Sequence, residues 1–117
     1  MFYLLEDNRI IDSEELKRKL HLDAKLGIID NELIVTLENF PIYRSESKIK
    51  KQSENVYDLI EKGDLVKTIV DLIYQVVMIA KNTIIAPQWA FDLAVVTAIY
   101  KPDEKGNYIK VWEKKDE

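Results

Sequence analysis

The sequence predicts an α+β protein that is mainly β. We expect an N-terminal β-hairpin and helix unit over residues 1–43, a basic polar linker over 44–55, and a small SH3-like β-barrel over 56–117. Three observations carry that expectation. An Asp-Asn pair stands between apolar pairs twice, at 7–8 and at 30–31. Leu65 to Ala80 holds eight β-branched residues among sixteen, which is strand composition. After Ala80, short apolar runs alternate with turn chemistry, as in a small barrel that closes to protect its edges.

The first hairpin is FYLL, the Asp7-Asn8 corner, and RII, since Asp and Asn tolerate the positive φ that tight turns require. DSEELKRKL follows as a two-turn helix. Ser13 is its expected N-cap, Glu14 and Glu15 suit the positive end of the dipole, and Leu16 and Leu20 share a face. IIDNELIV repeats the hairpin pattern about Asp30-Asn31; two similar turns without a third copy do not make a repeat architecture. Leu33 to Phe40 reads as a strand that Pro41 ends. RSESKIKKQSEN, with Ile49 its one apolar residue, reads as the linker.

Asn55 or Asp58 opens a short turn through YDLI, and Gly63-Asp64 starts the barrel's first strand, with glycine relaxing the corner. For LVKTIVDLIYQVVMIA the periodicity competes with the composition. Apolar positions 66, 69, 70, 73, 76, 77 and 80 also fit a helical face capped by Asp64. The β-branched content, and a hairpin in MIAKNTIIAP about Lys81-Asn82, favour strands. QWAFD is then a corner, LAVVTAIYK a strand, PDEKGN a turn, and YIKVWEK the returning strand.

Composition limits the chemistry. At 117 residues, 47% apolar and 32% charged, the chain has the make-up of a folded domain. Without cysteine there are no disulfides, thiolate nucleophiles or Cys-containing zinc sites. One histidine, His21, excludes sites needing two, and three glycines exclude a phosphate-cradling Gly loop. Acids near His21 read as a solvated helix face, while Asp92 and Asp103 read as turn residues. No catalytic, cofactor-binding or metal-binding residue is therefore expected, and no enzyme. The net charge of −4 divides evenly, with residues 1–55 holding 9 Lys/Arg against 11 Asp/Glu and residues 56–117 holding 8 against 10. No half is basic, which disfavours duplex binding. MFYLLEDNRI does not read as a signal peptide, and the most apolar stretch is too short to span a bilayer, so we expect a cytoplasmic protein.

KKQSENVYDLIEKGDLV, IYQVVMIAKNTIIAP and VTAIYKPDEKGNYIKVWE together resemble the C-terminal parts of small accessory proteins from phages and prophages of Firmicutes. The shared form is VYDLIE.GDLV, a YQV strand, and AIYK…G.Y, over roughly residues 50–114. Lys62 and the segment TIVDLI depart from it. The resemblance implies a phage-encoded protein working in the host cytoplasm, such as an inhibitor of a host function, defence nucleases included; it supplies no catalytic residue.

Six residues stand out as candidates for partner binding: Trp89, Phe91, Tyr100, Tyr108, Lys110 and Trp112. Trp89 and Phe91 on a corner would anchor a protein partner. Simple alternation in YIKVWEK puts Tyr108, Lys110 and Trp112 on one face, with Tyr100 on the neighbouring strand. Rings interleaved with lysines would suit single-stranded nucleic acid, the alternative to a protein partner. The competing explanation is that these aromatic residues are packing residues.

Overall fold

Both Asp-Asn corners form tight turns in the computed structural model, which describes residues 1–115. Asn8, Asp30 and Asn31 take φ of 70°, 51° and 63°, the left-handed region that Asn and Asp tolerate. The first corner joins β1 (Phe2–Leu5) to β2 (Ile10–Asp12), and the second joins β3 (Lys25–Ile29) to β4 (Glu32–Leu37). Between the hairpins lies helix α1 (Ser13–Leu20). Its cap is Asp12, not the expected Ser13: the Asp12 carboxylate accepts from the N–H groups of Glu14 and Glu15. Ser13 is buried, and its hydroxyl donates to the Met1 carbonyl at 3.0 Å.

The largest correction concerns residues 44–55. The supposed linker is mostly the second part of β5 (Phe40–Ser53), which has fourteen residues. Pro41 does not end a strand. Glu38 and Asn39, with φ of 51° and 67°, turn the chain, and Pro41 lies opposite Thr36, next to a register shift where its missing N–H is tolerated. β5 pairs first with β4 and then with β1, in the sheet order β2-β1-β5-β4-β3.

RSES makes this change of partner. Arg44 pairs with Ile34 and Lys48 with Glu32, so the bulge carries Ser45, Glu46 and Ser47 against Leu33 alone. Glu46 takes φ 64°. The Leu33 N–H donates to the buried Ser45 hydroxyl at 3.1 Å, and that hydroxyl donates to the Ser47 carbonyl at 2.8 Å. A side chain thus satisfies a buried ladder group. Arg9 clamps the bulge, donating to the Ser45 carbonyl at 2.6 Å while paired with Asp7 at 2.7 Å. Arg44 meets Glu32 through two hydrogen bonds, 3.2 and 2.9 Å, and holds the Glu32 carboxyl below the usual carboxylate range. On this frame Tyr3, Leu5, Leu33 and Ile49 form a core, with Met1, Ile11 and Leu26 packed against it. Each fully buried aliphatic side chain contributes roughly 1.5–3 kcal/mol.

This first compact unit is Met1–Leu59 and ends in a 3-10 turn, Val56–Leu59, where the expected YDLI turn falls. The Tyr57 N–H donates to the Asn55 side chain at 3.0 Å. A second unit begins at Ile60.

In the second unit the β-branched run is strand, as its composition predicts: β6 (Leu65–Thr68), β7 (Ile73–Gln75) and β8 (Met78–Ala80). Restricted χ1 freedom weakens the helical alternative, and Asp71 at φ 62° interrupts it. β9 (Thr83–Ile85) follows the Lys81 turn, and β10 (Ala90–Asp92) takes the second half of the expected corner. The LAVVTAIYK strand begins late, because a 3-10 turn capped by Asp92 occupies Leu93–Val95 before β11 (Val96–Pro102). β12 (Tyr108–Glu113) completes the last hairpin.

These strands form antiparallel sheets in the orders β12-β11-β6-β7 and β10-β9-β8. Val76 donates to the Asp64 carbonyl and Val77 to the Ile85 carbonyl, both at 2.8 Å, so consecutive residues tie β7 to one sheet and β8 to the other. Backbone pairing does not close a barrel among the described residues. β7, β8 and β10 have three residues each, too few for continuous ladders around a ring.

Candidate functional site

Glu61-Lys62-Gly63-Asp64 is the entrance to β6. Gly63 takes φ 94°, a conformation favouring glycine, and the turn directs the Asp64 carboxylate inward. There it receives the ammonium of Lys101, a lysine with no solvent exposure, at 2.6 Å. Glu61 accepts from the same ammonium at 3.0 Å, and its own backbone N–H donates to Asp64 at 2.8 Å. Burial pushes the Asp64 carboxyl above its ordinary value, against the opposing pull of Lys101. The Tyr108 hydroxyl donates to the Gly63 carbonyl at 2.6 Å, closing the turn from the other hairpin. Glu61, Gly63, Asp64, Lys101 and Tyr108, from two distant segments of the chain, therefore meet in space. They form a structural lock in which the lysine is buried and neutralised by the two carboxylates.

The proposed aromatic-lysine face does not form as expected. β11 and β12 pair Tyr100 with Lys110 but Ile99 with Trp112, so Val111 is the extra residue of a bulge. Directly opposed residues share a face. Trp112 thus lies on the side of the fully buried Ile99, while Tyr100, Tyr108 and Lys110 stay on the other. Simple alternation fails because the bulge reverses it. Lys110 is paired with Glu113, which raises the ammonium pKa and lowers that of the carboxyl. What remains is two tyrosines and a neutralised lysine, a poor platform for a phosphate backbone.

Trp89 and Phe91 also part company. The Phe91 ring packs on Tyr74 with centroids 5.1 Å apart, a contact between two half-buried residues. Trp89 is 63% exposed on a turn closed by reciprocal bonds with Ala86, at 2.8 and 3.3 Å. It is a large ring held outward by a well-defined backbone.

The principal feature missed by sequence reasoning is the β6–β7 turn. Ile69, Val70, Leu72 and Ile73 are 65%, 65%, 54% and 53% exposed, so four large aliphatic side chains crowd one hairpin tip. The tip is braced. Thr68 donates to the Leu72 carbonyl at 3.0 Å, Asp71 to the Thr68 carbonyl at 2.9 Å, and Ile69 to the Val95 carbonyl at 3.0 Å. Asp71 supplies the left-handed residue and pairs with Lys67 at 3.5 Å. Beside it lies a shallow cleft of about 210 Å³, lined by Lys67, Thr68, Asp71, Glu113 and Lys114 among others. Its charges are of both signs, so it favours neither anions nor cations. The signal for the tip was visible in TIVDLI: apolar residues where a turn calls for polar ones.

His21 ends α1, and its Nδ1 accepts from the Asp23 N–H at 3.1 Å, a local structural role. Among the described residues no three His, Cys, Asp or Glu side chains gather to hold a metal, and no helix is long and apolar enough to cross a membrane. No protein-family model, curated protein or solved structure matches the chain.

Proposed function

We propose that the chain is a non-enzymatic binding protein whose second unit docks its β6–β7 tip into an apolar pocket on a partner protein. The observation that carries the reading is the braced tip with Ile69, Val70, Leu72 and Ile73 in water. Exposed aliphatic clusters of this kind mark interaction sites. Burying the remaining exposed parts of the four side chains would contribute on the order of 5 kcal/mol before the costs of association. Trp89 offers a second anchor of the type enriched at binding hot spots.

Two further parts of the reading rest on different support. The order β6, a bent β7–β8, β9, β10, a 3-10 turn, and β11 returning beside β6 supports an SH3-like plan for the second unit. The phage-type motif supports a partner in the bacterial host's cytoplasm, with host defence proteins the class to screen first.

The test is a cross-linked capture from bacterial lysate with three baits: the natural chain, Val70→Asp/Leu72→Asp, and Lys110→Ala. The expected result is a partner that the tip variant loses and Lys110→Ala retains, with circular dichroism unchanged in both. A partner captured equally by the natural chain and the tip variant overturns the reading.

A further inference from the structure

β3 is an edge strand without the usual protection. It ends the order β2-β1-β5-β4-β3, so one side of it has no partner strand among the described residues. The opposite edge, β2, has three residues and runs straight into α1. In the second unit, the edge strands β7, β8 and β10 are equally short, and β12 carries Lys110, Glu113 and a bulge. β3 has five residues, KLGII, in unbroken register with β4, and one charge. Ile28 and Ile29 are 48% and 60% exposed. Long, regular, apolar edges invite another strand, and short strands, charges and bulges are the usual defences.

Gly27, at its centre, is not required by the backbone conformation or the packing of its own chain. Its φ lies outside the left-handed region, and a Cβ built there would meet nothing within 4 Å. Glycine inside a strand is unfavourable for entropy and leaves nothing to pack, and it often marks the close approach of another backbone. Counting from the two-residue loop, the closing pair Ile29 and Glu32 bonds inward, so Leu26 and Ile28 direct their amides to the open edge.

We propose that two copies of the chain pair through β3, antiparallel about a two-fold axis at Gly27, joining their five-stranded sheets into one. The strand is self-complementary in that arrangement. Leu26 of each copy stands opposite Ile28 of the other and exchanges both free-edge hydrogen bonds with it. Leu26 already packs against the core, and Ile28 lies opposite the buried Leu33, so the dyad extends the core face across the junction. The two Gly27 residues form the central non-bonded pair, where facing Cα atoms approach to about 4.5 Å. Lys25 of one copy falls beside the Ile29-Asp30 end of the other, so like charges stay apart. The inference concerns the first unit alone and is independent of the hairpin tip in the second.

Sedimentation equilibrium on the full chain tests it. At about 100 µM, where a micromolar Kd is saturated, the natural chain should sediment at twice its monomer mass, with Leu26 and Ile28 amides protected from exchange. Ile28→Lys puts a charge at the junction, and Ile28→Pro removes the outward N–H without adding a charge. Both should sediment as monomers, whereas Lys110→Ala should remain a dimer. A natural chain monomeric at that concentration overturns the proposal, as does a dimer that both Ile28 variants leave intact. A monomer whose β3 amides become protected only on adding an extended peptide also overturns it, and assigns the edge to a foreign strand.

Discussion

Lys101 shows how much one buried charge demands of its surroundings. The ammonium is fully enclosed and satisfied by Asp64 and Glu61, so removing either side leaves the other uncompensated in a region of low dielectric. Lys101→Met should lower stability by roughly 3–5 kcal/mol at pH 7, read as a shift of the urea midpoint. The effect has a definite pH sign. Burial already raises the Asp64 carboxyl from 3.8, and loss of the lysine raises it further. A carboxyl whose folded pKa is raised contributes stability that is present below its unfolded pKa and lost as pH rises through the folded value. The deficit of Lys101→Met should therefore be largest at pH 7 and shrink toward pH 4. Lys101→Met/Asp64→Asn should recover most of it at pH 7, since the neutral amide still accepts from the Glu61 N–H. A deficit independent of pH would show that the loss comes from packing instead.

At the scale of elements, serine hydroxyls decide the path of β5. Ser45 accepts the Leu33 N–H inside the bulge, so Ser45→Ala leaves that buried donor without its partner and should cost about 1–3 kcal/mol. Ser47→Ala, whose hydroxyl accepts the part-buried Asp7 N–H at 3.2 Å, should cost less. Equal costs in denaturant titrations would remove Ser45 from its assigned role. The same bulge explains what the sequence left hidden. Turns were legible, because Asp7-Asn8 and Asp30-Asn31 announce their backbone conformation locally. The second part of β5 was not: RSESKIKKQS buries little besides Ser45 and Ile49, and its hydrogen bonds come from partners distant in the chain. Periodicity reads burial, so a strand held by backbone pairing and hydroxyls looks like a tether. Trp112 was misplaced for a related reason, as a one-residue bulge reverses alternation without a mark in the sequence.

For the molecule as a whole, the even charge balance and the apolar tip imply one thermodynamic signature. Both halves of the chain are slightly acidic, and Lys110, the lysine of the aromatic face, is spent on Glu113. Binding through Ile69, Val70, Leu72 and Ile73 removes apolar surface from water and releases few counterions. Complex formation with the captured partner should therefore show a negative heat-capacity change in calorimetry. Its affinity should change less than about threefold between 50 and 200 mM salt, whereas a protein making 6–10 phosphate contacts loses roughly 10³–10⁵ over that range. The tip variant should remove the heat-capacity signal along with the binding. A steep salt dependence, with Tyr100→Ala and Tyr108→Ala more damaging than changes at the tip, would instead move the functional surface to the outer face of β11 and β12. The two surfaces lie on one sheet system but obey different physics, so salt and heat capacity together assign the binding to one of them.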